Sequence, residues 1–324
     1  MVAAIRVHKI GGPDVLTYED VEVGAPGPGQ IRIRQHACGI NFIDTYYRTG
    51  LYPAPQFPFI PGNEAAGDVV AVGEGVTDFK TGDRVTYNIA HGAYAAERLL
   101  PAERAIKLPE GISYEQAAGM MLKGMTARYL IRSVYKVEKG TTLLMHAAAG
   151  GVGLIICQWA HSLGATVIGT AGSREKADLA RANGCDHVIL YRDEDFVARV
   201  KEITGGKQCD VVYDGVGKDT FPGSLDCLRP RGMFATFGNA SGPVPPFDPL
   251  LLQRKGSLFM TRPTLVHYTL TRADLLECAN DLFDAVKSGA VTIPVNQKYP
   301  LKDARKAHED LEGRNTTGSS VLIP

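Results

Sequence analysis

The stretch that decides the fold is TTLLMHAAAGGVGLIICQWAHSLGATVIGTA, Thr141 to Ala171. An apolar run from Leu143 to Ala149 leads into Gly150, Gly151 and Gly153. The amphipathic segment Val152 to Leu163 stops at Gly164, and a second apolar run, Thr166 to Thr170, follows. That order predicts strand, glycine turn, helix and strand, the right-handed crossover unit of doubly wound sheets. Its helix N-terminus offers unpaired N–H groups and the positive end of a dipole, which suit a pyrophosphate. One glycine permits the tight turn, one lets the backbone approach the phosphates, and Gly153 lets the helix lie close on the strand. A glycine triplet also occurs in plain strand-to-helix turns. Here the alternation continues beyond Thr170, and that favours the dinucleotide reading.

Downstream, strands are expected at His187 to Tyr191, Asp210 to Tyr213, Met233 to Phe237 and Ser257 to Thr261, with helices at Arg174 to Asn183, Phe196 to Ile203 and Ser224 to Leu228. With Leu143 to Ala147 and Thr166 to Thr170 this describes an α/β fold, a doubly wound parallel sheet in strand order 3-2-1-4-5-6. Upstream, Met1 to about Ala105 reads as strands and turns, with Ile31 and Ile33 alternating with Arg32 and Arg34 as on a half-buried strand. Asn41 to Arg48 is the expected short helix in that irregular β-barrel. Ser113 and Gln116 form a capping box before two expected helical stretches, Tyr114 to Leu122 and Met125 to Val137. Helices Arg272 to Ser288 and Leu301 to Leu311 precede an apolar tail, Ser320 to Pro324. The tail is too short to stand alone, so it is expected to return to the barrel.

The chain has 324 residues, 44% hydrophobic and 22% charged, as in globular proteins with well-formed cores. Its 35 basic and 35 acidic side chains cancel. No long-range field gathers nucleic acid or an anionic membrane, and neither is an expected partner. The N-terminus lacks an apolar signal core and no run is long enough for a membrane span, so a cytoplasmic location is expected. The six cysteines are scattered, with no C-x-x-C spacing, and are read as reduced and buried.

A site for NAD places a carboxylate about twenty residues beyond the glycines, at the end of the second strand, to hold the adenosine ribose. Here that stretch reads Thr170-Ala171-Gly172-Ser173-Arg174-Glu175-Lys176, with no acid at the strand end. Ser173 can donate a hydrogen bond there, and Arg174 and Lys176 bring positive charge to where a 2′-phosphate would lie. The other reading makes Arg174 and Lys176 a solvated helix face. Basic residues at a helix N-terminus oppose its dipole, which weakens that reading and favours NADPH over NADH.

Six segments together carry a family resemblance: His146 to Gly153 (HAAAGGVG), Cys38 to Pro53 (CGINFIDTYYRTGLYP), Pro61 to Gly67 (PGNEAAG), Thr81 to Val85 (TGDRV), Val211 to Gly217 (VVYDGVG) and Tyr299 to Glu312 (YPLKDARKAHEDLE). The chain resembles the zinc-free quinone oxidoreductases, the zeta-crystallin branch of the medium-chain dehydrogenase/reductase superfamily. The resemblance implies a GroES-like barrel, residues 1–123 completed by about 265–324, and a Rossmann domain, 124–264. It also implies reduction with NADPH in the cleft between them. By the resemblance, Asn41, Phe42, Ile43, Tyr46 and Tyr52 line the cleft from the barrel, the first four of them also binding the cofactor, and Thr126, Val216, Phe237, Gly238, Asn239 and Pro263 join Gly150, Gly151, Val152 and Gly172 on the cofactor. Lys176 and Tyr191 would contact the 2′-phosphate alongside Ser173 and Arg174. It also implies a homodimer through the last Rossmann strand.

Zinc members of the superfamily place a cysteine and a histidine where this chain has Asn41 and Asn63, and amides are poor zinc ligands. Ala117 to Ala127 contains no cysteine, histidine or carboxylate, and the residues between Val85 and Gly92 contain no cysteine. No metal is therefore expected, and Asp44 and Glu64 are read as structural. Tyr46 and Tyr52 combine an aromatic face for a flat acceptor with a hydroxyl for its carbonyl, and Asn41 can donate to the same oxygen. No dedicated general acid is identifiable; His146 and His161 read as structural. The expected activity is NADPH-dependent reduction of a small quinone. Rival readings are an NADPH-dependent reductase of activated alkenes or enoyl thioesters, and a non-catalytic NADPH-binding protein with a crystallin or RNA-binding role.

Overall fold

The computed structural model describes Met1–Pro324 and divides the chain into two compact units. The first comprises Met1–Lys123, Thr271–Phe283 and Ile293–Pro324, and the second Gly124–Leu270 and Asp284–Thr292. In chain order the first unit begins with β1 (Val2–Val7), β2 (Leu16–Val21), β3 (Gln30–Gly39), α1 (Phe42–Thr49), β4 (Glu64–Val72), β5 (Arg84–Asn88), β6 (Glu97–Pro101), β7 (Ala105–Lys107) and the first part of α2 (Tyr114–Tyr129). The second contains β8 (Thr142–Met145), α3 (Gly151–Ser162), β9 (Thr166–Ala171), α4 (Arg174–Ala182), β10 (His187–Leu190) and α5 (Phe196–Ile203). It continues with β11 (Cys209–Asp214), α6 (Gly223–Asp226), β12 (Leu228–Thr236), α7 (Leu250–Arg254) and β13 (Phe259–Thr261). After α8 (Arg272–Lys287), the elements β14 (Val295–Pro300), α9 (Ala304–Glu312) and β15 (Ser319–Ile323) belong to the first unit.

In the first unit a seven-stranded sheet runs β14-β15-β3-β4-β5-β7, with β6 also paired to β3. On β3 the alternation works as read: Ile31 and Ile33 are fully buried, while Arg32 and Arg34 reach across to one carboxylate, Glu97, at 2.6 and 3.2 Å. The C-terminal tail returns as expected, with Val321 opposite Gly39 and Leu322 opposite Cys38. All six cysteines are buried and carry free thiols.

A buried polar chain ties α1 to α9 inside this unit. The Arg48 side chain is fully buried; Nη2 donates to Glu312 (2.6 Å) and Nη1 to Nδ1 of His308 (2.9 Å). Because a guanidinium only donates, Nδ1 must accept, and the ring proton sits on Nε2. That proton faces the Tyr94 oxygen at 3.1 Å, and Tyr94 in turn donates to Asp44 at 2.9 Å. Burial, and then the Arg48 charge, push the His308 imidazole down to about 3.

In the second unit the parallel sheet has the order β10-β9-β8-β11-β12-β13, the expected 3-2-1-4-5-6 arrangement. Leu144, Ile168, Ile189, Val212 and Phe234 form the core beneath it.

Several expected elements differ, among them β12, which begins at Leu228 instead of Met233, and the last helix, which begins at Ala304 instead of Leu301. The two helices predicted at Tyr114 to Leu122 and Met125 to Val137 form one helix, α2. Burial of Met120, Met121, Met125 and Ala127 outweighs the cost of Gly124, about 1 kcal/mol. It ends in a widened turn over Leu130–Val134, where the Tyr135 N–H bonds the Leu130 carbonyl at 3.1 Å. The helix predicted at Ser224 to Leu228 stops at Asp226, since Leu228 already pairs with Cys209. The last strand starts at Phe259 instead of Ser257, whose φ of 55° cannot continue a strand. Leu258 is buried within its own unit, whereas Phe259 on the edge strand is 59% exposed.

His308 yields a pH prediction. A histidine whose folded value lies below its unfolded one binds more protons when unfolded, so stability present above pH 6.5 is lost on acidification toward the folded value. Urea unfolding between pH 6.5 and 4.5 should therefore show a shallower acid loss in His308→Gln than in the unmodified protein, by up to about 1.4 kcal/mol per pH unit. Identical slopes would contradict the buried neutral imidazole.

Candidate functional site

The glycine turn lies between β8 and α3. The N–H of Gly150 bonds back to Ala147, whose φ is 55°, and α3 begins at Gly151. No side chain caps this helix, so the N–H groups of its first turn keep their donors for a ligand. A β-carbon on Gly153 would stand 2.4 and 2.7 Å from the carbonyl oxygens of Ala147 and Ala148, closer than any side chain tolerates. One on Gly150 would stand 3.1 Å from Ala147 O. These features fit a diphosphate: a tight turn, a bare helix end and backbone that a ligand can approach.

The turn is held from beneath. His146, buried at the end of β8, places Nδ1 3.1 Å from Oγ1 of Thr170 and Nε2 3.0 Å from Oγ of Ser224. Thr170 Oγ1 accepts the Ala147 N–H at 3.2 Å, and Ser224 Oγ lies 3.0 Å from Oδ2 of Asp214. Asp214 itself is fully buried: Oδ1 accepts the N–H groups of Val216 (2.8 Å) and Gly217 (3.0 Å), and Oδ2 the Thr220 hydroxyl (2.7 Å). Burial holds the His146 imidazole below the usual histidine range, with Asp214 opposing. One polar chain therefore fixes both the glycine turn and the Val216 loop. Its residues were legible as motif members, but their joining depends on strand order.

At the end of β9, Gly172 is followed by Ser173, which caps α4 by accepting the Lys176 N–H at 3.3 Å, leaving its hydroxyl hydrogen to point elsewhere. Ser173 and Arg174 are exposed and Lys176 half-buried. A β-carbon on Gly172 would lie 2.7 Å from the Tyr191 hydroxyl, so that hydroxyl stands over the strand end beside Ser173. No carboxylate belongs to this turn before Glu175, which is exposed. The group fits a phosphate better than a bare ribose.

Beyond β12, the Phe237 ring covers Gly215, whose added β-carbon would meet it at 3.1 Å. Gly238 is required by the Gly215 carbonyl, 2.3 Å from where its β-carbon would be. With its amide oriented to suit its neighbours, Asn239 donates to Gly238 O (3.0 Å) and accepts from Arg262 (3.1 Å). Asn239 and Arg262 also border a groove of about 500 Å³ walled by Val244, Phe247 and Met260. Pro263, just past β13, and Thr126, on α2, are buried or nearly so.

In the first unit, α1 and the residues flanking it carry the expected acceptor residues. Tyr46 is buried and Tyr52 half-buried; their rings meet edge to face with centroids 5.3 Å apart, and the Tyr52 N–H bonds the Tyr46 carbonyl at 3.0 Å. Phe42 and Ile43 are half-buried in the first turn. Tyr47 packs edgewise on His91 and Tyr52. Asn41, the N-cap, differs from the free donor expected of it: one Nδ2 hydrogen is committed to Glu64 Oε1 at 2.8 Å, and its backbone N–H to Asp44 Oδ2 at 2.8 Å. A single amide hydrogen remains for a ligand.

Asn63 donates to the other oxygen of Asp44. Burial pushes the Asp44 carboxyl up to about 6 against the bonds from Asn63, Asn41 and Tyr94, with Glu64 adding to the rise. Nowhere do three or more His, Cys, Asp or Glu side chains converge as a metal ion would need. Sequence reasoning missed Lys123, which pairs with Glu64 at 3.2 Å; its neighbour is 59 positions away, beyond any periodic pattern.

The glycine geometry predicts a graded response. Gly153→Ala drives a methyl group into two carbonyls and should destabilise the protein by about 1–3 kcal/mol, the usual cost of overpacking. Gly150→Ala should cost less. Equal denaturant midpoints for all three proteins would refute the close approach.

Residues 27–139 match the family described as alcohol dehydrogenase GroES-like domain, and residues 151–285 the one described as zinc-binding dehydrogenase. The chain is 51% identical over 325 residues to a quinone oxidoreductase of Pseudomonas aeruginosa, covering 100% of both chains. It is 51% identical over 332 residues to a 2-haloacrylate reductase of a Burkholderia species, covering 100% of this chain and 99% of that one. A solved structure of Escherichia coli quinone oxidoreductase complexed with NADPH superposes with a TM-score of 0.98 at 51% identity, covering 99% of this chain and 100% of that one. By these full-length matches, and by the glycine turn and parallel sheet described above, the chain belongs to the quinone oxidoreductase family of the medium-chain dehydrogenase/reductase superfamily.

Proposed function

We infer that this protein is an NADPH-dependent quinone reductase that works without zinc. The observation that carries the reading is the full-length likeness to quinone oxidoreductases. The local chemistry supports it: a bare helix end for the diphosphate and, after β9, a serine, an arginine, a lysine and a tyrosine with no carboxylate. Gly150, Gly151 and Val152 would hold the diphosphate. Gly172, Ser173, Arg174, Lys176 and Tyr191 would take the 2′-phosphate, with Thr126, Val216, Phe237, Gly238, Asn239 and Pro263 toward the nicotinamide. NADPH bound there supplies the reducing equivalents. Tyr46 and Tyr52 would present a ring face and hydroxyls to a flat acceptor, and Asn41 its remaining amide hydrogen to the acceptor oxygen. Phe42 and Ile43 would close the wall around them.

Asn41 and Asn63 are bound up with Glu64 and Asp44, which supports a zinc-free site. The identity to a 2-haloacrylate reductase favours a second reading, reduction of an activated alkene on the same residues. The zero net charge speaks against a nucleic-acid partner, no helix is long and apolar enough to cross a membrane, and we place the protein in the cytoplasm.

Initial rates with a small quinone and with 2-chloroacrylate, each with NADPH and NADH, test the function. The expected outcome is quinone turnover with NADPH, unchanged after chelator treatment. Turnover of 2-chloroacrylate alone would favour the second reading, and loss of rate with chelator would overturn the zinc-free one. A charge-assisted hydrogen bond contributes about 1.5–3 kcal/mol, so Lys176→Ala should weaken NADPH roughly ten- to a hundredfold while leaving NADH nearly unchanged. Equal loss of both would mean that the phosphate pocket lies elsewhere.

The exposed Phe259 on the open edge of β13 supports a homodimer in which two such edges pair. Light scattering at micromolar concentration should give twice the 34.9 kDa chain mass; a monomer mass would refute it.

A further inference from the structure

Lys123 and Glu64 pair inside the first unit with their side chains only 9% and 0% exposed. Lysine is rarely buried, and the attraction in such a pair recovers little more than its desolvation costs. Stability alone therefore gives little reason for this residue.

An ammonium has three donors. One meets Glu64 Oε1 at 3.2 Å and one the carbonyl of Ile40 at 3.0 Å; the third has no acceptor in the protein. Buried donors are as a rule satisfied, so the unused one points to a ligand. Its neighbours say where. Glu64 Oε1 also takes the Asn41 amide at 2.8 Å, and Ile40 directly precedes Asn41, the cap of the helix that carries Tyr46. The nearby buried cation Arg48 is already matched by Glu312 at 2.6 Å, and Asp44 is held by amide and hydroxyl donors. Lys123 is thus the side-chain cation bonded to the Asn41–Glu64 group.

We propose that Lys123 is a catalytic residue, with its third N–H directed at the acceptor oxygen beside Asn41, where it attracts the developing negative charge and supplies the proton. The proposal rests on the quinone-reductase reading above. A quinone that has gained two electrons and one proton is a hydroquinone monoanion. Transfer from Lys123 breaks one N–H bond and forms one O–H bond, leaving the neutral hydroquinone and a neutral amine, which regains a proton from water.

Proton demand differs among quinones and supplies the test. The reduced anion of a chlorinated benzoquinone is a weak base that needs no proton from the protein, whereas that of an alkylated benzoquinone is a stronger base. Changing Lys123→Met together with Glu64→Gln avoids an orphaned buried charge. General acids typically contribute at least about a hundredfold, so kcat/KM for the alkylated quinone should fall about that much. The chlorinated quinone should lose clearly less, about tenfold, because it forfeits the charge attraction but draws little on proton transfer. NADPH affinity, kept within about twofold, establishes that the variant is folded, because its dinucleotide residues are untouched. Equal losses for the two quinones, or none, would overturn the proposal.

A second readout needs no turnover. A facing ammonium favours the ionised form of a bound phenol, so 4-nitrophenol bound to the unmodified protein at pH 6 should absorb as phenolate. That fraction should drop about fivefold or more in the variant, while an identical spectrum in both proteins would overturn the placement. If the unmodified protein reduces neither quinone, the reading of the reaction fails, and the absorbance still decides whether the ammonium faces a ligand.

Discussion

Helix α3 can lie against the end of β8 only because residue 153 has no side chain. The carbonyls of Ala147 and Ala148 occupy the space a β-carbon would need. Everything that makes the second unit a binding domain follows from this approach: the helix end is bare, its first N–H groups face outward, and the turn is short enough for backbone to meet a ligand. The constraint is steric, so it acts whether or not a ligand is bound.

The turn cannot rest on glycine alone, because glycine permits many conformations besides the one needed. The chain from Ala147 through Thr170, His146 and Ser224 to Asp214 selects among them. Asp214 extends that selection to the Val216 loop by accepting two of its N–H groups. Buried polar groups that are fully satisfied rigidify in this way, and the same low dielectric makes any broken link expensive.

In the first unit the corresponding problem is charge. Arg48, Asp44, Glu64 and Lys123 are all buried around α1, and each is matched by a residue distant in sequence. The two amides Asn41 and Asn63 each give a hydrogen to one of the two carboxylates, Glu64 and Asp44. Helix α1 is thereby fixed at its start, which sets Tyr46 and, through a backbone bond, Tyr52.

The sequence by itself determined what short-range physics controls. The alternation at Ile31 and Ile33 and the succession of apolar runs and glycines from Leu143 onward each act within a few residues, and they were enough for the buried face of β3 and the order of the parallel sheet, while the missing acid after Thr170 carries the expectation of a 2′-phosphate. Local signals failed where packing competed with them, as at Gly124, which a buried helix carries through, and at Ser257, whose left-handed backbone delays the last strand. Only the tertiary structure decided which side chains share a buried site. Arg48 meets His308 across 260 positions and Lys123 meets Glu64 across 59. No periodicity encodes such pairs, because folding brings them together only when strands β3, β4 and β15 close around the helices, and a buried charge accepts whichever partner that closure delivers.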